Sequence, residues 1–146
     1  MLQALALAEE ASLAGEVPVG CVITDSSGRI IGRGRNRREE TGLATAHAEI
    51  EAIEGACRET GDWRLEGCTI YVTLEPCPMC TGAIISARIP RLVFALRDGQ
   101  TGACGSVIDL FSERFGHKPR VYADVLRDES AALLKEFFKG KRNCEA

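Results

Sequence analysis

Apolar positions along this chain recur in two rhythms, a helical one and a short strand-like one, with Gly, Pro and Asp as punctuation between them. Residues 2–14 are rich in Ala and Leu and predict a helix stopped by Gly15. Two runs of β-formers, 19–24 and 30–34, flank the turn sequence Asp25-Ser26-Ser27-Gly28 and predict a hairpin. The stretch 35–45 is polar and reads as a loop. Beyond it, apolar residues at 50, 53, 56 and 57 keep a helical spacing through 46–59, with Gly61 as the stop. Residues 69–74 predict a strand that leads through Glu75-Pro76 into a helix over 78–88, halted before Pro90. A strand at 91–95, a Gly-rich loop at 99–105, a short apolar segment at 107–111, a strand at 120–123 and a helix at 128–139 follow. The predicted order is α-β-β-α-β-α-β-β-α.

Strands joined by helices of about ten or more residues are normally parallel, with right-handed crossovers. The second half of the chain is therefore expected to lay a parallel sheet beside the antiparallel hairpin, with helices over both faces. The expected fold is α/β: a three-layer α-β-α sandwich with a mixed five-stranded sheet. No repeat, low-complexity tract or linker interrupts the 146 residues, so one domain spanning 1–146 is expected.

Composition narrows the class. Apolar residues at 45% and charged residues at 27% are globular proportions and exclude a disordered or fibrous chain. No apolar run approaches the ~18 residues of a membrane helix, and the first residues lack a basic segment before an apolar one. No membrane association and a cytoplasmic location are expected. The seven cysteines are odd in number, which rules out a fully paired disulfide framework within one chain. The net charge of -3 exerts no overall pull on nucleic acid, so any RNA contact must come from local patches.

Two short motifs carry chemistry: His47-Ala48-Glu49 and Pro76-Cys77-Pro78-Met79-Cys80. A catalytic zinc needs three protein ligands and one open position, and Cys2His is an accepted set. His47, Cys77 and Cys80 supply it. Bound Zn2+ lowers the pKa of its water toward about 7 and so provides hydroxide at neutral pH. Cys77 and Cys80 lie three apart at a helix start, where both side chains address one point and the helix dipole favours thiolate. His47 is expected in the first turn of its own helix, so that Glu49, two residues on, also faces the space beyond the helix end. Glu49 is then the proton carrier. An H-x-E with P-C-x-x-C, its Glu not a ligand, is the signature of zinc deaminases that act on nucleobases. A C-x-x-C alone would fit a redox pair or half of a structural zinc site equally well. Here there is no second C-x-x-C to close a four-ligand site. Glu75 reads either as a strand-end structural residue or as a catalytic one, the former favoured.

Wider stretches of the chain resemble the bacterial tRNA-specific adenosine deaminases: Glu16-Val17-Pro18-Val19-Gly20, Asn36, Thr45 to Ile50, Tyr71 to Cys77, Arg97-Asp98 and Thr101-Gly102-Ala103, in matching order. The resemblance implies a cytidine deaminase-like fold, one zinc per subunit, a homodimer, and conversion of the wobble adenosine of a tRNA anticodon to inosine. It also implies site roles. Asn36 would hydrogen-bond the flipped nucleoside, Val17 would form part of the base pocket wall, and Asp98 would lie beside the anticodon. Asn36 and Asp98 read equally as turn residues. In the C-terminal run an aromatic would meet splayed bases and cations would meet phosphates, which assigns Phe138 over Phe137, with Lys141 and Arg142. Arg33, Arg35, Arg37, Arg38, Lys118, Arg120 and Lys139 extend the candidate phosphate-binding set. His117-Lys118-Pro119 departs from the related pattern, as does a loop one residue longer there. Two other readings remain open: a zinc deaminase of a free base or nucleoside such as guanine, cytosine or cytidine, and a silent zinc-bearing RNA-binding module.

Overall fold

The hairpin forms where the two β-forming runs and the turn between them place it, and the rest of the sheet grows from its first strand. In the computed structural model, which describes residues 1–144, β1 (Gly20–Thr24) pairs antiparallel with β2 (Ile30–Arg35) on one side and with β3 (Thr69–Leu74) on the other. Strand β3 pairs in parallel with β4 (Arg91–Leu96), and β4 in parallel with β5 (Arg120–Tyr122). The sheet order is β2-β1-β3-β4-β5, a mixed five-stranded sheet as the pattern predicts. The crossover from β3 to β4 is a helix, α4 (Pro78–Ser86), whereas β4 reaches β5 through a long loop that holds only a 3-10 turn at Leu110–Ser112.

Helices cover both faces. Helices α1 (Leu2–Leu13) and α5 (Arg127–Cys144) lie on one face, and α3 (Ala48–Thr60) and α4 on the other. Period-two alternation decides which strand residues meet which layer. Cys21, Ile23, Ile70, Val72, Leu92 and Phe94 are all buried and pack with Ala52, Ala56, Ile84 and Ile85 into the core on the α3–α4 side. On the opposite side Ser130 of α5 donates its hydroxyl to the Thr73 carbonyl at 2.6 Å.

Three of the differences from expectation change the outline of an element most. The polar stretch 35–45 contains a single helical turn, α2 (Arg38–Thr41), closed by Gly42 in the left-handed region and held by the Arg37–Glu40 ion pair. Helix α4 stops at Ser86, because the N–H of Ile89 bonds back to Ile84 and that of Arg88 to Ile85, with Arg88 at positive φ. Helix α5 runs on past Lys139 to Cys144; the side chains of 143 and 144, Cys144 included, lie outside the described residues. Among the described residues no helix is long and apolar enough to cross a membrane.

Helix α3 rests almost on the backbone of β2, and glycine makes this possible. A Cβ on Gly34 would sit 2.1 Å from the carbonyl oxygen of Ala48 and 2.8 Å from the nitrogen of Ala52, inside any permitted contact. That contact fixes the first turn of α3 against the end of β2. Gly34→Ala must push the helix away and should cost about 3 kcal/mol. Gly55→Ala, on α3 itself, would place its Cβ at an ordinary 3.8 Å from Gly32 and should raise stability by about 0.5–1 kcal/mol. Urea unfolding of the two variants checks the contrast; equal effects would mean that the close approach is not a constraint.

Candidate active site

The site begins with two helix starts. His47, extended at φ -85° and ψ 151°, is the N-cap of α3, one residue before the first-turn position expected from the pattern. Cys77, extended at φ -72° and ψ 173°, is the N-cap of α4, with Pro78 following at the first helical position, where its missing N–H costs nothing. The His47 side chain makes no capping bond to its own helix, and the Cys77 sulfur is hydrogen-bonded to Cys80. Both are turned toward each other, and Cys80, one turn into α4, joins them. His47 Nδ1 lies 3.7 Å from Cys77 Sγ and 3.5 Å from Cys80 Sγ.

This geometry fits zinc. With Zn–N near 2.05 Å and Zn–S near 2.3 Å, tetrahedral bonding separates nitrogen from sulfur by about 3.6 Å. The three donor atoms lie within 4.8 Å of one another, and among the described residues no other group of His, Cys, Asp or Glu gathers in this way. Their acidities fit as well. A hydrogen bond from Cys80 is the main cause that pulls the Cys77 thiol down to about 4, with His47 adding to it. Cys80 is pushed far up, chiefly by its hydrogen bond to Cys77 and by burial, with Glu49 adding to it.

Glu49 is 4% exposed at the second position of α3, and burial raises its carboxyl above the ordinary range. It lines a pocket of about 150 Å³ together with His47 and Cys77. Asn36, Val17 and Asp98 line the same pocket. Asn36 lies two residues beyond Gly34, hence on the same sheet face. Its side-chain amide donates to the Val17 carbonyl at 3.3 Å and accepts from the N–H of Arg38 at 3.4 Å.

The family model for the cytidine and deoxycytidylate deaminase zinc-binding region matches residues 1–96. The chain belongs to this zinc-dependent deaminase family. It is 43% identical over 143 residues to the tRNA-specific adenosine deaminase of Bacillus subtilis, which covers 97% of this chain and 88% of the relative. It is 46% identical over 142 residues to the tRNA(Ile)-lysidine synthase of Deinococcus deserti, but spans only 27% of that protein's length. A solved structure from studies of A-to-I editing by tRNA:A34 deaminases at the wobble position of transfer RNA superposes with a TM-score of 0.88 at 44% identity. It covers 92% of this chain and 97% of its own.

The deaminase fold places the remaining sequence-predicted residues in different ways. Asp98 spends both carboxylate oxygens on its own turn, accepting from the N–H of Gln100 at 2.9 Å and from the hydroxyl of Thr101 at 2.6 Å. Phe138, 47% exposed, and the exposed Lys141 and Arg142 lie on α5 and do not line the pocket. The ammonium of Lys141 instead sits 5.0 Å over the ring of Phe137. Of the arginine set, Arg35 and Arg37 are held in ion pairs with Glu40, and Arg37 also with Glu51, which removes them as free phosphate ligands.

Glu75 has the structural role favoured by its place at the strand end. It is 2% exposed, and its carboxylate accepts from the N–H groups of Asp98 at 3.0 Å, Cys104 at 3.0 Å and Ser106 at 3.1 Å, and from the Ser106 hydroxyl. The deaminase's loop 98–106, one wall of the pocket, is thus folded around one buried anion. Sequence reasoning missed this because a carboxylate that serves backbone donors some 30 residues away leaves no local pattern. Glu75→Gln supplies one acceptor oxygen in place of two and points N–H at N–H. It should destabilise the protein by about 3 kcal/mol. Amide exchange at Asp98, Cys104 and Ser106 should also speed up, as read by hydrogen–deuterium exchange; unchanged protection there would contradict the assignment.

Proposed function

We propose that this deaminase converts the wobble adenosine of a tRNA anticodon to inosine, replacing the C6 amino group by oxygen from water and releasing ammonia. The observation that carries this reading is the convergence of His47, Cys77, Cys80 and the buried Glu49 on one pocket, in a chain whose near-full-length relatives include tRNA-specific adenosine deaminases. His47, Cys77 and Cys80 hold one zinc, which when bound supplies a water acidic enough to act as nucleophile at neutral pH. Glu49 holds a proton between steps. It accepts one as water is activated and gives it to a ring nitrogen, then accepts a second from the hydroxyl added at C6 and gives it to the departing amine. Its burial favours a carboxyl that can both take and return that proton.

The remaining side chains bind and orient. Asn36, tethered to Val17, presents its remaining amide hydrogen to the nucleoside, and Val17 lines the base pocket. Asp98 shapes the loop beside the anticodon through its turn. Phe138 stacks against a splayed base, with Lys141 and Arg142 on phosphates. The protein works in the cytoplasm as a homodimer, each subunit a single deaminase domain.

Purified protein is given a synthetic anticodon stem-loop with adenosine at the wobble position, beside free adenosine, cytidine and guanine, and inosine formation is followed. Conversion of the stem-loop alone is expected; conversion of a free base with the RNA untouched would overturn the substrate. Glu49→Gln should keep about one zinc per chain and lose about 10²–10⁴-fold in kcat. Near-full activity in that variant would remove Glu49 from the chemistry.

A further inference from the structure

Three arginines follow one another at the end of β2, and the fold uses them differently. Arg35 and Arg37 are neutralised by Glu40 and Glu51 at 2.8 to 3.1 Å. Arg38 forms no ion pair among the described residues, is exposed, and lines the pocket beside Asn36 and His47. It is an exposed guanidinium in the lining of a pocket that also holds Glu49 and Cys77. A neutral base inside the pocket offers it hydrogen-bond acceptors but no opposite charge. The phosphate attached to that base does, and guanidinium matches phosphate oxygens in bidentate geometry.

A second observation concerns how Arg38 is held. Glu16, 1% exposed and next to Val17 in the pocket wall, accepts the backbone N–H of Glu40 at 2.8 Å across 24 residues. A buried carboxylate carries a desolvation cost, so its retention asks for a return elsewhere. What this one secures is the single turn α2 from which Arg38 projects. We propose that Arg38 pairs with a backbone phosphate of the nucleotide whose base enters the pocket, and that Glu16 is the positioning residue that holds Arg38 there. The assignment rests on the tRNA substrate reading above.

Steady-state kinetics on the anticodon stem-loop across a salt series test both parts. Arg38→Ala should raise KM about tenfold with the effect on kcat much smaller, and should reduce the slope of log(kcat/KM) against log[salt] by about 0.7, one single-strand phosphate contact. Arg38→Lys should recover the slope and only part of the KM. Glu16→Ala should raise KM comparably, Glu16→Gln, which keeps an acceptor oxygen, should restore it, and Glu16→Ala should add nothing in an Arg38→Ala background. Zinc content should stay near wild type throughout. Wild-type KM and salt slope in Arg38→Ala would overturn the phosphate contact. An equal cost of Glu16→Ala in both backgrounds would overturn the positioning role while leaving the contact standing. If the wild-type protein converts no stem-loop at any salt, the substrate reading fails first, and this assignment with it.

Discussion

Two helices that start at the same place impose the constraint on which the rest of this molecule depends. At a helix start the first N–H groups have no partner within the helix, and the backbone carries partial positive charge. A residue at or near this position can turn its side chain outward, away from the helix. Here the N-cap positions of α3 and α4 are filled by His47 and Cys77, and each side chain leaves its own helix to meet the other. Bringing two such ends together concentrates positive potential, which suits thiolates, and leaves Glu49 buried beside them, where the proposed function gives it the proton-carrying role. The sheet exists, in this sense, to fix two helix origins relative to each other.

Buried anions hold the walls around that centre. Glu75 gathers the loop 98–106 by its backbone, and Glu16 does the same on a smaller scale for α2. In both places irregular chain, which has no ladder of its own, satisfies its donors on a carboxylate supplied from the ordered part of the fold. Loops built in this way can carry pocket residues with little freedom to drift. The close packing of α3 on Gly34 serves the same end from below, since it sets the height of His47 and Glu49 above the sheet.

Most of the architecture was legible in the chain because it is local. The β-forming runs of β1, β3 and β4, the turn at Asp25 to Gly28 and the stop at Gly61 are written within a few residues of where they act. The zinc donors were legible for another reason: metal geometry permits few spacings, and His47-x-Glu49 with Cys77-x-x-Cys80 is one of them. What escaped was set by distant partners. The turn α2 is held by Glu16, 24 residues away, beside the pairs of Arg35 and Arg37 with Glu40. The loss of Arg35 and Arg37 to Glu40 and Glu51 depends on tertiary placement, and so does the gathering of the loop 98–106 on Glu75, whereas the turn at Asp98 was itself legible. Sequence shows that charges are present; only the fold shows which of them are already spent.

The central claim is that two N-capping side chains and one cysteine a turn further on make a three-donor zinc site with Glu49 outside the coordination sphere. X-ray absorption at the zinc edge of the metal-loaded protein tests it most directly. The account predicts two sulfur scatterers at about 2.3 Å, one imidazole nitrogen near 2.0–2.1 Å and a single further light atom from solvent. A site with fewer than two sulfurs, or with a carboxylate of the protein in the fourth position, would contradict it.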